Sequence, residues 1–476
     1  MRPLAGASMR RAGALIGAAS ASPWRSKAMS IAQAELSTSI CMSSMDRLHH
    51  EAYQAALPKA ELLDQSSFCC SAILGNLPRS PSRRQRMQAI STVLRNRMWL
   101  GLLVLCAAVL TEVCTRANTP SKDLGADVDE VAANLIKQPL LHSASIGVVY
   151  RGREIVRHRG DMQSGQGKPP TDATLYEIGS LSKTFAGTLM AKAVVERKAS
   201  LDDDVRMYLS EAYPNLQYKG EPIRIRHLLS HTSGLPNMLP ERANVVLADF
   251  TDRRTPGELN AVYAHYGQAE FFKDLHTVEI PRRPGKKYAY SSAGTELTAH
   301  ILETVYKRDY ESLLREFFHD SAAMTDVRIR LSGAEASRLA IGYHSDNPVP
   351  TTPMPQLPWG ASGNVKSTVP DMMKYLKFQL ANDPVVKESH RPLVEFDSEF
   401  SIGYFWNIVA GEHLKGVYYA HHGGVPRSQC YIYIVPKYDL GIFVITNQSG
   451  DQTANSMEAA IDTLVERIAA REKIAG

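Results

Sequence analysis

Ser180 and Lys183 lie three residues apart in residues 177–184, which read EIGSLSKT. Residues 181–196 are mostly apolar and predict a helix, so both side chains should lie on one face near its start. A serine hydroxyl is a weak nucleophile until a base takes its proton, and a buried lysine can act as that base because desolvation lowers its pKa. Backbone N–H groups at a helix start can stabilise the resulting oxyanion. The pair therefore predicts nucleophilic attack on a carbonyl group.

The simpler interpretation of Ser180 is that its side chain only caps the helix. Against this, Lys183 is the only lysine in the sequence with a serine three residues before it. The pair also coincides with a predicted helix start. We therefore favour the catalytic interpretation over the cap.

A second candidate segment, residues 284–294, reads PGKKYAYSSAG. It predicts a loop that leads into a helix beginning near Gly294, with Tyr290 and Ser292 on the turn before that helix. A phenol beside cationic side chains can transfer protons during catalysis. Taken alone, Tyr290 is better explained as a tyrosine of the hydrophobic core.

A third candidate segment, residues 421–425, reads HHGGV and precedes a predicted strand that begins near Gln429. The adjacent Gly423 and Gly424 would let a substrate lie close to strand backbone, where an N–H group can complete an oxyanion hole. The alternative is an ordinary Gly-Gly turn.

The elements that must position these residues are predicted from the two ends of the chain body. Strand-like segments joined by short polar connections predict one hairpin at each end, with strands at residues 145–150, 154–159, 429–435 and 440–446. Helices are predicted at residues 128–137 and at the C-terminus, and residues 185–390 are helical and rich in loops. The sequence therefore predicts an α/β fold, in which a central antiparallel sheet is flanked by helices and carries an inserted, mainly helical region. A cleft should form where the two parts meet.

The three segments occur in this order with spacings of about 110 and 130 residues, and together they resemble the motifs of the penicillin-binding-protein and serine β-lactamase superfamily. The chain is most similar to the branch with Tyr-x-Asn and His-x-Gly motifs, which includes class C-type β-lactamases, D,D-peptidases and carboxylesterases. Residues 201–205, 225–236 and 360–371 are also similar, and the resemblance spans about residues 125–465. It implies a serine hydrolase that acts through an acyl-enzyme on an ester, amide or β-lactam carbonyl.

The resemblance also implies a role for each site residue. Ser180 would attack the carbonyl and become acylated, and Lys183 would hold or accept its proton. Tyr290 would be the general base and acid relay. His422 would occupy the place of the third-motif lysine, orienting Tyr290 or a substrate carboxylate. The N–H groups of Ser180 and Val425 would form the oxyanion hole. A small-molecule or peptide substrate is implied, and no metal or organic cofactor.

The second motif departs from this branch because Ser292 stands where Asn is usual. A hydroxyl cannot offer the donor and acceptor of an amide together, so efficient β-lactam turnover is less expected than ester or peptide hydrolysis. One alternative function is a penicillin-binding or sensor protein that is acylated without efficient turnover. Another is a self-assembling structural protein on this fold. An α/β-hydrolase is disfavoured because the sequence contains no G-x-S-x-G.

Charge and cysteine use separate the first part of the chain from the rest. The net charge is +5, but residues 1–97 carry +8 and the remainder −3, so the body gives no argument for nucleic-acid binding. Five of the six cysteines precede the body, which keeps Cys430 and therefore cannot form an internal disulfide.

Residues 98–110 form an uncharged apolar run that follows Arg95 and Arg97, which is typical of a secretory signal, with a candidate cleavage site at residues 115–117. We therefore expect a secreted or periplasmic protein. The alternatives are a membrane anchor formed by the apolar run and a mitochondrial presequence, since residues 1–34 contain arginine and no acid. The domain prediction has three parts: a disordered leader or mis-assigned start at 1–97, a signal-like segment at 98–118 and a catalytic domain at 119–476.

Overall fold

The structure of the protein is a computed structural model that describes residues 123–163, 165–411 and 416–475. The predicted leader (1–97) and the signal-like segment (98–118) lie outside the described residues. Within the described part of the chain, no helix is both long enough and apolar enough to cross a membrane.

The helices are α1 (Leu124–Leu135), α2 (Ser182–Val195), α3 (Ile225–Leu229), α4 (Glu241–Leu247), α5 (Thr255–Tyr263), α6 (Gln268–Leu275), α7 (Ser292–Tyr306), α8 (Tyr310–Ala322), α9 (Gly333–Ala336), α10 (Val369–Leu380), α11 (Pro384–Ser389) and α12 (Asp451–Ala475). The strands are β1 (Ser143–Tyr150), β2 (Arg153–Gly160), β3 (Tyr176–Glu177), β4 (Gln217–Tyr218), β5 (Glu221–Pro222), β6 (Tyr343–His344), β7 (Lys366–Ser367), β8 (Val394–Glu395), β9 (Phe400–Gly403), β10 (Trp406–Gly411), β11 (Gly416–Val425), β12 (Ser428–Val435), β13 (Leu440–Thr446) and β14 (Gln448–Ser449).

One eight-stranded antiparallel sheet forms the centre of the fold, in the order β2-β1-β13-β12-β11-β10-β9-β8. The N-terminal hairpin joins the C-terminal strands because β1 pairs with β13, with Ile146 opposite Val444. The two ends of the chain body therefore build a single sheet, and the predicted fold class is confirmed.

Helices cover both faces of this sheet. On one face α2 and α10 bury Phe185 and Tyr375 with Phe443 of β13. On the other face α1 and α12 bury Val128 and Ile461 with the opposite side of the same strands. All seven residues of β13 are buried, which explains why that strand is apolar along its whole length.

The sheet meets the start of α2 at two glycines. Gly179 has a φ of +55°, and a Cβ there would lie 2.8 Å from the backbone nitrogen of Gly424. A Cβ on Gly423 would lie 2.0 Å from the carbonyl oxygen of Ile178. Glycine at both positions lets β11 lie directly against the turn that carries Ser180.

The predicted inserted region is present between α2 and α10. Helices α4 and α5 contribute to a small separate core that contains Met238, Leu259 and Leu357. The helix predicted to begin near Gly294 begins two residues earlier, because the Ser291 hydroxyl accepts the Gly294 N–H at 2.9 Å and caps α7.

Candidate active site

Ser180 lies in a single 3₁₀ turn, Gly179–Leu181, immediately before α2. The turn is fixed by Ser182, whose hydroxyl donates to the Gly179 carbonyl at 2.6 Å and accepts the Val365 N–H at 3.1 Å. Ser180 is half-buried and lines a cavity of about 280 Å³. The predicted nucleophile is therefore held on a rigid turn and faces a cavity.

Lys183 is fully buried one helical turn after Ser180. Its Nζ lies 3.1 Å from Ser180 Oγ and 2.6 Å from the carbonyl oxygen of Ser362. Burial lowers the pKa of Lys183 to about 7, against the opposing effect of the Glu296 carboxylate. A large fraction of this lysine is therefore neutral near pH 7 and can accept a proton from Ser180.

The carbonyl that contacts Lys183 belongs to a loop held by Glu296 of α7. One carboxylate oxygen of Glu296 accepts the Trp359 and Gly360 N–H groups at 2.7 and 3.0 Å. The other accepts the N–H and the hydroxyl of Ser362 at 2.8 and 2.6 Å. Burial raises the pKa of Glu296, and these hydrogen bonds oppose that effect. Glu296 thus fixes the position of the Ser362 carbonyl.

Tyr290 faces the same serine from the loop before α7. The Ser180 hydroxyl lies close enough to oppose the rise in the pKa of its phenol, and Lys183 Nζ lies 4.8 Å from the centre of its ring. Burial raises the pKa of Tyr290, so the phenol is protonated at neutral pH. The three predicted catalytic residues therefore lie together, and the pKa shifts favour Lys183 over Tyr290 as a proton acceptor.

His231 holds the backbone on both sides of Tyr290. Its carbonyl accepts the Ala289 N–H at 2.7 Å, and its Nδ1 accepts the Ser291 N–H at 3.2 Å. Its ring packs on the Tyr290 ring with centroids 4.5 Å apart. Burial holds the pKa of His231 well below its ordinary value, with the charge of Lys183 acting in the same direction. The neutral ring therefore carries its proton on Nε2.

The third motif lies at the end of β11, and the register of the sheet separates its two histidines. His421 pairs with Ile432 and His422 pairs with Tyr431, so the two rings point to opposite faces. Burial and then the charge of Lys183 lower the pKa of His421 to about 3, whereas burial lowers that of His422 to about 4. The His422 ring packs on Tyr431 at 4.6 Å. Both histidines contribute to the lining of the cavity. Because the charge of Lys183 acts on His421 and not on His422, the structure favours His421 over the predicted His422 for the position beside Lys183.

The alternating geometry of β11 also decides which N–H group can take part in the predicted oxyanion hole. N–H groups of a strand point alternately to its two edges, so Gly424 and Val425 present theirs in opposite directions. The Gly424 nitrogen is the atom nearest to the position that a Cβ on Gly179 would take, at 2.8 Å. The geometry therefore favours the Gly424 N–H, rather than that of Val425, as the partner of the Ser180 N–H.

Ser292 begins α7 and faces the cavity beside a residue from the loop after α3. Its hydroxyl donates to the side-chain oxygen of Asn237 at 3.2 Å, and both residues line the cavity. The lining of the cavity also includes an apolar set, Met238, Leu247, Phe250, Leu259, Met354 and Leu357. The site thus combines a polar catalytic edge with an apolar chamber. Among the described residues, no group of His, Cys, Asp and Glu is arranged to hold a metal ion.

Comparison with known proteins identifies the family. The chain belongs to the β-lactamase family, because the family model described as Beta-lactamase matches residues 128–466. This confirms the predicted superfamily and class, a serine hydrolase of the β-lactamase type. The family acts on small-molecule or peptide substrates.

Two curated relatives and one solved structure show how far the similarity extends. Protein flp of Staphylococcus aureus (strain N315) is 24% identical over 351 residues, which is 71% of this chain and 66% of that protein. The D-alanyl-D-alanine-carboxypeptidase/endopeptidase AmpH of Escherichia coli (strain K12) is 23% identical over 79% of this chain and 98% of its own length. A β-lactamase/D-alanine carboxypeptidase from Yersinia pestis superimposes with a TM-score of 0.61 at 20% identity, covering 72% of this chain and 98% of the other.

Four site residues were not assigned roles from the sequence. His231 and Ser362 lie in stretches that resembled the superfamily, residues 225–236 and 360–371, but no spacing rule indicated what their side chains or carbonyls contact. Glu296 and Asn237 gave no signal of their own, since their partners are distant in sequence and only the fold brings them together.

Proposed function

We propose that this protein is a serine hydrolase that forms an acyl-enzyme on Ser180 with an ester, amide or β-lactam substrate. The observation that supports this proposal most directly is the 3.1 Å contact between Ser180 Oγ and the buried Nζ of Lys183, whose pKa is lowered to about 7. A neutral amine at that distance can take the hydroxyl proton as the oxygen attacks a carbonyl carbon.

Acylation then needs a site for the oxyanion and a proton for the leaving group. The N–H groups of Ser180 and Gly424 would stabilise the oxyanion of the tetrahedral intermediate. When the intermediate collapses, the leaving group takes a proton from the Tyr290 phenol, and Lys183 returns the proton that it took from Ser180 to the phenolate. The acyl group stays on Ser180 Oγ. The leaving group of an ester or linear amide departs as an alcohol or amine, whereas the amine of an opened β-lactam ring stays attached to the acyl group.

Deacylation reverses these roles with water in place of the leaving group. Water attacks the acyl carbon while neutral Lys183 takes its proton, and the C–O bond to Ser180 breaks as the serine oxygen takes a proton from Tyr290, which Lys183 then reprotonates. His421 and His231 stay neutral beside Lys183, so neither adds a positive charge that would oppose protonation of the lysine.

The experiment that tests the proposal offers the purified protein a chromogenic cephalosporin, a p-nitrophenyl ester and a D-Ala-D-Ala peptide. Ser180→Ala should abolish whichever hydrolysis the wild-type protein shows. Activity that survives this substitution would contradict the proposed nucleophile.

The alternative, a penicillin-binding or sensor protein, predicts a different result from the same protein. Intact mass spectrometry after exposure to penicillin would then show a long-lived adduct that Ser180→Ala lacks, together with little turnover. Rapid loss of the adduct with release of product supports the hydrolase.

For localisation we propose export, to the periplasm or out of the cell, on the basis of the apolar run at residues 98–110 and the arginines before it. A membrane anchor and a mitochondrial presequence are the alternatives. The N-terminal sequence of the mature protein tests the signal peptide, since cleavage after residue 117 supports it and retention of residues 98–110 contradicts it. Cell fractionation then separates an anchored protein, found in the membrane fraction, from a mitochondrial one.

A further inference from the structure

Three tyrosines of the central sheet line the cavity that contains the proposed nucleophile: Tyr418 of β11, and Tyr431 and Tyr433 of β12. The register of the sheet places Tyr431 opposite His422 and Tyr433 opposite Ala420, and side chains directly opposite each other lie on one face. Tyr418 lies two residues from Ala420 and therefore shares that face. Its ring is nearly parallel to that of Tyr433, at 10°, with centroids 5.6 Å apart. These three residues form one side of the cavity, the tyrosine wall.

The phenol groups of the tyrosine wall are buried without protein partners. Each of the three residues is only 6% exposed. Among the described residues, none donates to or accepts from their hydroxyl groups, and these oxygens are not among the unpartnered atoms that the protein encloses completely. Buried polar groups in folded proteins are nearly always hydrogen-bonded, to protein or to water. Three such hydroxyls at a cavity therefore indicate a place where water or a ligand binds.

Carboxylates of α12 also line the cavity. Glu458 is 3% exposed and lines it together with Asp451, which lies two helical turns earlier. Burial raises the pKa of all three phenols of the tyrosine wall, and the negative charge of Glu458 raises it further. Of the described residues that line the cavity, none is a lysine or an arginine. The surroundings of the tyrosine wall therefore favour a cation over an anion.

An aromatic ring attracts a cation to its negative face, and a nearby carboxylate adds to that attraction. We propose that the tyrosine wall and Glu458 bind a cationic group of the substrate, a quaternary ammonium or a protonated amine. The phenol oxygens would accept hydrogen bonds from a protonated amine, and the rings would contact the methyl groups of a quaternary one. The inference rests on the proposed hydrolase function, because it adds a second point of recognition to the same cavity.

The strand register sets the distance between this subsite and the scissile carbonyl. A rise of about 3.4 Å per residue puts Tyr431 and Tyr433 about 7 and 14 Å along β11 from Gly424. The Gly424 N–H is the group proposed to bind the oxyanion. A substrate should therefore carry its cation roughly 10 Å from the carbonyl that Ser180 attacks.

Binding to Ser180→Ala protein tests the subsite without any hydrolysis. The probes are choline and its uncharged isostere, in which a carbon atom replaces the nitrogen, and calorimetry measures the dissociation constant of each. Choline should bind about tenfold more tightly than the isostere, which is the effect expected of a cation on desolvated aromatic rings. Equal affinities would overturn the inference, whatever the wild-type protein hydrolyses.

Two variants, each added to Ser180→Ala, show whether these side chains hold the cation. Glu458→Gln removes the charge and keeps the size of the side chain, and Tyr433→Leu removes a ring from the tyrosine wall. Each should reduce the preference for choline over the isostere about fivefold. Glu466→Gln is the matched control, because Glu466 is exposed on the same helix and does not line the cavity, and it should keep the full preference. A preference that persists in both test variants, or that falls equally in the control, would contradict the inference.

Hydrolysis by the wild-type protein tests whether the subsite serves substrates. Two esters carry a trimethylammonium group roughly 10 Å from the carbonyl, one in the acyl chain and one in the alcohol, and each has a neutral partner that ends in a tert-butyl group. At least one cationic ester should have a kcat/KM about tenfold above that of its neutral partner. Hydrolysis without a preference in either pair would refute recognition of a cationic substrate. If none of the four esters is hydrolysed, that result counts against the proposed function, and the choline measurement alone decides the subsite.

Discussion

At the scale of single residues, the site depends on a lysine whose position is unfavourable for stability. Lys183 is fully buried, and its pKa of about 7 in the folded protein is well below the ordinary value of 10.5. In the unfolded chain the same side chain is protonated up to about pH 10. Folding at neutral pH therefore buries a charge or releases a proton, and both cost free energy.

Replacing Lys183 with Met should consequently abolish activity and stabilise the fold, by roughly 1–3 kcal/mol at or below pH 7. The difference in stability between the variant and the wild type should shrink between pH 7 and about pH 10. In that range the folded wild-type protein binds fewer protons than its unfolded chain, so its free energy of unfolding rises with pH. Urea unfolding at several pH values measures this. A variant less stable than the wild type at pH 6 would contradict the cost of burial.

Glu296 should control the pH dependence of the reaction through Lys183. The kcat/KM of the wild-type protein should rise with pH around a midpoint near 7 as Lys183 loses its proton. Glu296→Gln removes the charge that raises the lysine pKa and weakens the loop that carries Ser362. The midpoint should therefore move to lower pH, and kcat should fall about tenfold.

Glu303→Gln is the matched control for Glu296, since Glu303 lies on the same helix and also holds Trp359, through the indole N–H at 2.7 Å. It makes no contact with Ser362 among the described hydrogen bonds. Its pH midpoint should stay at the wild-type value. Equal shifts in both variants would show that Glu296 acts through general loosening of the loop.

At the scale of elements, the catalytic groups are supplied by four segments that meet at one point. The turn before α2 carries Ser180, the loop before α7 carries Tyr290, the loop before α10 gives the Ser362 carbonyl, and β11 brings His421. The loop after α3 contributes His231, whose φ of +54° lies in the left-handed region that asparagine, aspartate and histidine adopt more often than other residues with a side chain. That loop positions the phenol rather than taking part in the reaction.

His231→Ala should therefore lower kcat more than it raises KM, by about a hundredfold, because small displacements of a reacting group are costly. It removes the acceptor of the Ser291 N–H and the ring that packs on Tyr290. His231→Asn should recover part of the loss, since asparagine tolerates the same φ and keeps an oxygen acceptor close to the Nδ1 position.

His276→Ala tests whether loss of any stacked histidine has this effect. His276 packs on Tyr213 at 3.9 Å and lies outside the cavity. Its replacement should leave kcat and KM within twofold of the wild-type values, because a surface substitution away from the site usually has an effect of less than about 0.5 kcal/mol. Comparable losses of kcat in His276→Ala and His231→Ala would refute the positioning role of His231.

At the scale of the whole molecule, the elements with strong periodicity could be predicted and the close contacts could not. The two hairpins, α2 and the C-terminal helix follow from apolar patterns, and Ser180, Lys183 and Tyr290 from motif order. The choice between His421 and His422 depends on strand register, because a shift of one residue exchanges the two faces. The contact of Asn237 with Ser292 joins residues 55 apart, so no local pattern indicates it.

The ends of the chain body must pair before the central sheet is complete, and a buried ion pair joins the helices that flank them. Asp127 of α1 and Arg467 of α12 are 1% and 5% exposed, with Nη1 and Oδ1 3.1 Å apart, and Asp127 also pairs with Arg471. Asp127→Ala removes a buried carboxylate that two arginines share, while Arg467 keeps its pair with Glu130 at 2.9 Å, so the free energy of unfolding should fall by about 2 kcal/mol.

Asp129 provides the comparison because it lies two residues away and pairs with Arg157 at 2.9 Å while its side chain is 38% exposed. Asp129→Ala should cost no more than about 1 kcal/mol, since solvent screens an exposed pair. Both variants should keep the wild-type KM, because neither aspartate is among the residues that line the cavity. Urea unfolding and ester hydrolysis together measure these effects. Similar losses of stability in the two variants would mean that burial does not make the Asp127 ion pair stronger than an exposed one. The pairing of the sheet and its apolar packing would then be what holds the two ends of the chain body together.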